Sequence, residues 1–263
     1  MSLPIKKIYI NSNFKTSDSQ SDSNFKFQLS RSIHLPKNTI FYIENFTCSH
    51  AWYTVETGLN DSLCIKVNAT DYIKPIPPGN YTGPTFATAL QTVLNSITAN
   101  IFTVSFNAQQ QNLKIAVVGS NTFEIYTDVQ SQYFFDTTQT INKILQNEDS
   151  VSRGYSSEDP YISGFLELLS IRNIYIHSSN LSSYTTYGGK GESNIIKKIP
   201  VSSDFGYLVI DNYTSTHDWL DCSNLTLSCM EFILRDSYGN VVPLHGSNVS
   251  FSIIFSKQSL EDN

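Results

Sequence analysis

Strand-like runs in this chain fall into an early group and a late group around a stretch of different character, and that division constrains the fold more than any single motif. The early runs are FKFQL (25–29), TIFYIENFTC (39–48) and SLCIKVN (62–68), with turn chemistry at Pro36-Lys37-Asn38 and from Gly58 to Asp61. The late runs are IRNIYIHSS (171–179), NIIKKIPV (194–201), GYLVIDNY (206–213), LTLSCMEFILRD (225–236) and NVSFSIIF (248–255). Neither group is self-sufficient: three early strands lack a partner sheet, and five late strands leave open edges. The alternative, two consecutive domains, inherits that weakness. Taken together the runs number eight, enough for two four-stranded sheets packed face to face.

The expected fold is therefore mainly β, an eight-stranded jelly-roll sandwich with a small α+β insertion domain between its third and fourth strands. The last strand pairs beside the first in such a sandwich. Val249, Phe251, Ile253 and Phe255 then point inward and Ser250, Ser252 and Ser256 outward, while Ile254 breaks the alternation and marks a covered outer face. The intervening stretch opens with the turn-rich PIPPGNYTGP (75–84). Phe86, Leu90, Val93, Leu94 and Ile97 then share one helical face, with Pro84 in the first turn. IFTVSF (101–106), LKIAVV (113–118) and TFEIYT (122–127) follow as a three-stranded meander, and TTQTINKILQ (137–146) as a second short helix. The domain reading is 1–71 for the first part of the sandwich with an N-terminal arm, 72–167 for the insertion, and 168–263 for the second part.

A short strand candidate, Ile5–Ile10, precedes a polar stretch (11–24) that reads as a flexible arm ordering on assembly, and deletion of residues 1–20 is then expected to spare the fold. Only 15% of residues are charged, against about 25% in a typical domain, so the surface is built mainly from Ser, Thr, Asn and Gln. Such a surface loses little on desolvation and suits contact with neighbours. The net charge of −6 argues against a protein that coats nucleic acid. Of 23 acidic and 17 basic residues, eight and two lie between Glu124 and Glu167, leaving 15 of each sign elsewhere. That segment reads as a solvated surface or as a face for a basic partner.

Cys48, Cys64, Cys222 and Cys229 show no paired spacing and read as free thiols, mostly buried. No signal-peptide core or membrane-length apolar run is evident in the sequence. The His residues at 34, 50, 177, 217 and 245 stand singly, without the His-x-His or His-x-Asp/Glu spacing of a jelly-roll metal enzyme, so no metal, cofactor or catalytic set is assigned. HDWLDC (217–222) is the densest reactive cluster. It reads as an Asp-capped turn with Trp219 over a sheet end, the alternative being a hydrolase site built on His217 and Asp221. TTYGGKGES (185–193) lacks the order of a phosphate loop and reads as a loop. Candidate interface residues are Trp52 and Tyr53, which follow a strand end, with Phe14 and Trp219.

FKFQLSRSIHLPKNTIFYIENFTCSHAWYTV, IPPGNYTGPTFATALQTVLNSI, NIYIHSSNL followed by IIKKIPV, and MEFILRDSYGNVVPLHGSNVSFSIIF occur in an order that resembles the single-jelly-roll penton (vertex, or minor capsid) proteins of virophages and polinton-like viruses. The resemblance implies a non-enzymatic capsid protein: a homopentamer at the icosahedral vertex, contacting the double-jelly-roll major capsid protein, its insertion projecting outward toward a host receptor or glycan. It implies a virion component assembled in host cytoplasm. The other class of function consistent with the residues is a carbohydrate- or receptor-binding β-sandwich module of a viral fibre, using Tyr and Trp faces.

Overall fold

The computed structural model describes residues 6–99, 101–146, 152–181, 186–189 and 191–257. Its strands are β1 (Lys6–Asn11), β2 (Asn24–His34), β3 (Thr39–Ser49), β4 (Ser62–Val67), β5 (Thr70–Pro75), β6 (Phe102–Asn107), β7 (Asn112–Val117), β8 (Phe123–Ile125), β9 (Tyr161–Ile162), β10 (Asn173–His177), β11 (Ile195–Pro200), β12 (Leu208–Asp211), β13 (Leu220–Asp221), β14 (Thr226–Arg235) and β15 (Val249–Lys257). Its helices are α1 (Gly83–Ile97), α2 (Asp128–Phe135) and α3 (Asn142–Leu145), with 3-10 turns at Ser12–Phe14 and Thr216–Asp218. The protein is mainly β, with several antiparallel sheets, and divides into two compact units: residues 1–52 with 171–263, and residues 53–170.

In the first unit, one sheet runs β1-β15-β3-β12, with β13 also on β3, and the other runs β11-β10-β14-β2. Strict alternation supplies an inner face to each. Ile8, Ile10, Phe41, Ile43, Phe46, Phe251, Ile253 and Phe255 are buried on the first, and Phe25, Ile174, Ile176, Met230, Phe232 and Leu234 on the second. The Phe232 and Phe251 rings meet edge to face across the two layers, centroids 5.1 Å apart. β15 is a central strand, paired to β1 on one side and to β3 on the other. Consequently Ser252 and Ile254 are also buried, because Lys7 and Tyr9 flank them from β1 and Tyr42 and Glu44 from β3. Asn45, at φ 55°, is the extra residue of a bulge that keeps Glu44 and Thr47 on one face.

Lys197 projects inward from β11, where alternation calls for an apolar residue. Its ammonium spans the two sheets, 2.9 Å from the Asp211 carboxylate of β12, and donates to the carbonyls of Tyr213 (2.6 Å) and Ile43 (3.3 Å). Every one of its three protons therefore has an acceptor.

The second unit contains two three-stranded sheets, β5-β4-β8 and β6-β7-β9. Its core gathers Leu63, Ile65, Phe86, Leu90, Leu94, Phe102, Leu113, Ile115, Phe123 and Tyr161. The predicted apolar face of α1 is the buried one, and Thr82 and Thr85 close a capping box at its start. Side chains of α1 also cap the free edge of β6: Gln91 Oε1 accepts from Val104 N–H at 2.8 Å, and the Asn95 amide bonds both backbone groups of Phe102 at 2.9 and 3.1 Å.

Four sequence expectations change. β4 was expected as the third sandwich strand but pairs with β5 and β8, so the first unit ends at Trp52 and resumes at Ile171, rather than changing at 71/72 and 167/168. Alternation marks a strand without naming its sheet. The early strands of the first unit are β1, β2 and β3; the N-terminal run is an integral strand, and Ile5 of that candidate lies outside the described residues. The meander is divided, since β8 pairs with β4 while β6 and β7 pair with each other. Finally, the polar arm is a tied loop: Lys15 pairs with Asp22 at 2.6 Å, Lys26 with Asp18 at 2.8 Å, and the Thr16 amide donates to the Lys26 carbonyl. Deleting residues 1–20 would remove β1 with its buried Ile8 and Ile10 and leave that edge of β15 unpaired, so it would damage the fold.

Candidate functional site

The four candidate interface residues do not form one patch. Trp52 is 1% exposed, beneath His50 at a ring separation of 4.3 Å, while His50 Nδ1 donates to the Ser203 carbonyl at 2.7 Å. An aromatic at a strand end can close the core as readily as face solvent, and here it closes the core. Tyr53 belongs to the other unit and is half-buried, its amide bound to Glu56 and its carbonyl to Ser170. Phe14 and Trp219 are exposed, at 74% and 43%. Trp219 stacks on Tyr42 of β3.

The HDWLDC cluster is built as a turn. Asp218 accepts from the Ser215 amide at 3.2 Å, and Asp221 accepts from the Ser223 amide and hydroxyl at 3.3 and 2.6 Å. Cys222 is buried with its thiol on the Thr39 carbonyl, and burial pushes that thiol up to about 12, as it does Cys48. A thiol so placed has almost no thiolate at neutral pH. His217 is exposed and no base–nucleophile pair joins it to Cys222. Among the described residues all four cysteines are free and no group of His, Cys, Asp and Glu has the geometry to hold a metal ion. The Gly-rich loop lies partly outside the described residues; its described part closes a turn from Gly188 to Glu192.

Two other features attract notice. A polar cleft of about 290 Å³ on the second sheet of the sandwich is lined by Asp18, Lys26, His177, Ser178, Asn194 and Glu231, among others. His177 is buried there, its Nδ1 2.8 Å from Asn194 Oδ1, and burial lowers its pKa. In the second unit, α2 presents Val129 and Tyr133, each about four-fifths exposed, beside the stacked pair Phe134–Tyr126. Of the acidic segment, Glu148 and Asp149 lie outside the described residues, and Asp128, Asp159 and Glu124 each hold a side-chain partner in Thr140, Arg153 and Ser152.

The strongest surface contrast lies between the outer faces of the two sandwich sheets. Register places Lys7, Tyr9 and Asn11 of β1, Ser250, Ser252, Ile254 and Ser256 of β15, Ile40, Tyr42, Glu44, Thr47 and Ser49 of β3, and Leu208 and Ile210 of β12 on one outer face. Among its described strand residues the charged ones are Lys7 and Glu44, which neutralise one another at 2.6 Å, and Asp221 of β13, which pairs with Ile40 and accepts from Ser223. The opposite outer face carries Lys26, Glu231, Arg235 and Lys198, with Asn24, Gln28 and Tyr175. One side of the sandwich thus carries three cationic residues and Glu231, while the other exposes apolar side chains beside an internally paired Lys7–Glu44 and a hydrogen-bonded Asp221. Leu208 and Ile210, 56% and 51% exposed, escape sequence reasoning aimed at aromatics. The signal was present in the unbroken apolar run Leu208-Val209-Ile210, which predicts apolar residues on both faces of one strand.

No family model matches the chain, and no curated protein matches it in sequence. Among solved structures it is similar to the crystal structure of selenomethionine-labelled mavirus penton protein, with a TM-score of 0.53 and 12% identity, over 96% of this chain and 100% of that one. No helix among the described residues is long and apolar enough to cross a membrane. The chain is a mainly β protein that shares, over nearly its whole length, the fold of a viral penton protein.

Proposed function

We propose that this protein is the penton of an icosahedral virus of the virophage type: a structural capsid protein, acting by assembly rather than catalysis, that forms a homopentameric vertex against double-jelly-roll major capsid protein. The observation that carries the reading is topological. Counting only the long strands of the first unit, the sheets read first-eighth-third-sixth and fifth-fourth-seventh-second, the order of an eight-stranded jelly roll. The remaining unit is then an insertion domain spanning residues 53–170, between the third and fourth of those strands. The end-to-end likeness to a penton fold supports this, as does the scarcity of charge, which lowers the cost of burying surface between subunits.

The exposed aromatic face of α2 favours a further role for the insertion, as the surface that meets a host receptor or glycan; a glycan array with the Tyr133→Ala variant as control tests it. The virion is the expected location, following assembly in host cytoplasm. The vertex assignment is tested by imaging shells assembled with and without this chain. Density for the chain at the five-fold positions is the expected result, and closed shells whose vertices lack it would refute the assignment.

A further inference from the structure

The two outer faces of the sandwich differ too much to serve the same neighbour. The apolar-rich face is continuous across four strands. Its rows, read by register, run Lys7–Ile254–Tyr42, Tyr9–Ser252–Glu44 and Asn11–Ser250–Thr47–Ile210, with Leu208 beside Ser49 in the row beyond. Trp219 covers Tyr42, and the Lys7 ammonium sits 5.3 Å from the Tyr9 ring centre, held there by Glu44. Small hydroxyl residues along the middle, Ser250, Ser252 and Thr47, leave a shallow floor between raised aromatic and aliphatic rims. A floor of that kind loses little on drying, because Ser252 is already 4% exposed and the one ion pair is already satisfied.

Area sets the class of partner. Tyr9, Trp219, Leu208 and Ile210 are 72%, 43%, 56% and 51% exposed, which together offer on the order of 500 Å² of open side chain. That is more than half of one partner's share of a standard protein–protein interface, before the polar floor is counted. Patches above a few hundred Å² on a soluble chain mark a protein partner rather than a small ligand. The face also runs to both ends of its sheet, since β1 and β12 are the edge strands there, and exposed edges are what a neighbouring subunit of the same kind would shield.

We infer that the outer face of the β1-β15-β3-β12 sheet is the surface on which a second copy of this chain docks, with Tyr9, Trp219, Leu208 and Ile210 as its apolar contacts. This deepens the vertex reading and rests on it. The opposite, charged sheet is left to solvent or to a different capsid subunit. Because the two faces are unlike, contact between copies is head-to-tail, the kind that closes into a ring. With a modest apolar contact area, and with Lys7 and Glu44 already paired within the chain, association is concentration-dependent and insensitive to salt.

Sedimentation equilibrium of the purified chain, run from micromolar to millimolar concentration, reads this directly. Ile210→Glu and Leu208→Glu change half-exposed side chains, so they leave the fold intact, which thermal melting checks. Each should weaken self-association by at least roughly tenfold, because a carboxylate would be dried without a partner. Lys198→Glu, on the opposite face, should not. A chain that stays monomeric throughout, or Ile210→Glu and Leu208→Glu variants that associate like the parent, overturn the docking face. If those variants lose shell incorporation while associating normally, the face belongs to a different capsid protein and the inference again fails. All of these outcomes are separate from the vertex reading, which stands or falls on density at the five-fold positions.

Discussion

Removing the Lys197 ammonium is the most informative single perturbation of the sandwich. Nζ lies 2.9 Å from Asp211 Oδ2 and donates to two carbonyls, and the side chains of the pair are only 5% and 12% exposed. In Lys197→Met the aliphatic stem is kept, so cavity formation is minor. Asp211 keeps one bond, from the Tyr213 amide at 3.2 Å, but its carboxylate is left without a counter-ion, and the Tyr213 and Ile43 carbonyls each lose a donor. Breaking a buried pair from one side costs about 3–5 kcal/mol. At roughly 2–4 °C per kcal/mol for a domain of about 150 residues, the melting temperature should fall by about 6–20 °C. The double variant Lys197→Met, Asp211→Leu removes both charges and should recover much of that loss, retaining a deficit of about 1–3 kcal/mol from the orphaned carbonyls. Circular dichroism melts of the parent, both single variants and the double complete the cycle. A Lys197→Met melt within about 2 °C of the parent, or a double variant with the summed loss of the two singles, would refute the claim that this bridge ties the two sheets together.

Three further outcomes are expected. At pH 8, iodoacetamide should label Cys229 first and leave Cys48 and Cys222 unmodified, since burial pushes both of those thiols up to about 12; mass spectrometry of the native protein reports the order. His177 has its pKa lowered by burial, so protonation opposes folding: its contribution is intact above the unfolded value of about 6.5 and is lost as pH falls through the lower folded value. Urea midpoints should therefore decline between pH 7 and 5 more steeply for the parent than for His177→Gln, and parallel declines would remove His177 as the cause. In the second unit, Gly164→Ala should destabilise by about 1–3 kcal/mol, because a Cβ there would overlap the Gln146 carbonyl oxygen, a backbone atom with no rotamer to yield; an unchanged denaturation midpoint counts against it.

Sequence reasoning reached the sandwich because the pattern of β3, β14 and β15 is strong: apolar residues alternate over nine or more positions, and only a half-buried strand satisfies that period. The face of α1 was legible for the same reason. Other elements carried no such period. β5, TDYIKP, is mostly exposed and reads as loop. α2 places Val129 and Tyr133 in solvent, so it has no apolar stripe; what fixes it is local, a capping box between Thr127 and Gln130 and a left-handed stop at Asp136. The polar run 11–24 misled because composition reports solvation and says nothing of the ion pairs that tie a loop down. The apolar-rich outer face was invisible for a related reason: it is assembled from four strands distant in sequence, and only the register reveals that their outward residues coincide.

The pairing of β15 with β1 has a bearing on how the molecule is made. During synthesis β1 emerges early and must wait for its partner until residues 250–255 have left the ribosome, whereas the contiguous segment 53–170 holds all the strands of its own sheets. The inner segment can therefore mature first, as domains do when they fold in order of emergence. Throughout that interval the apolar strands β1 to β3 are exposed on the nascent chain, an invitation to premature pairing that a chaperone would be well placed to prevent.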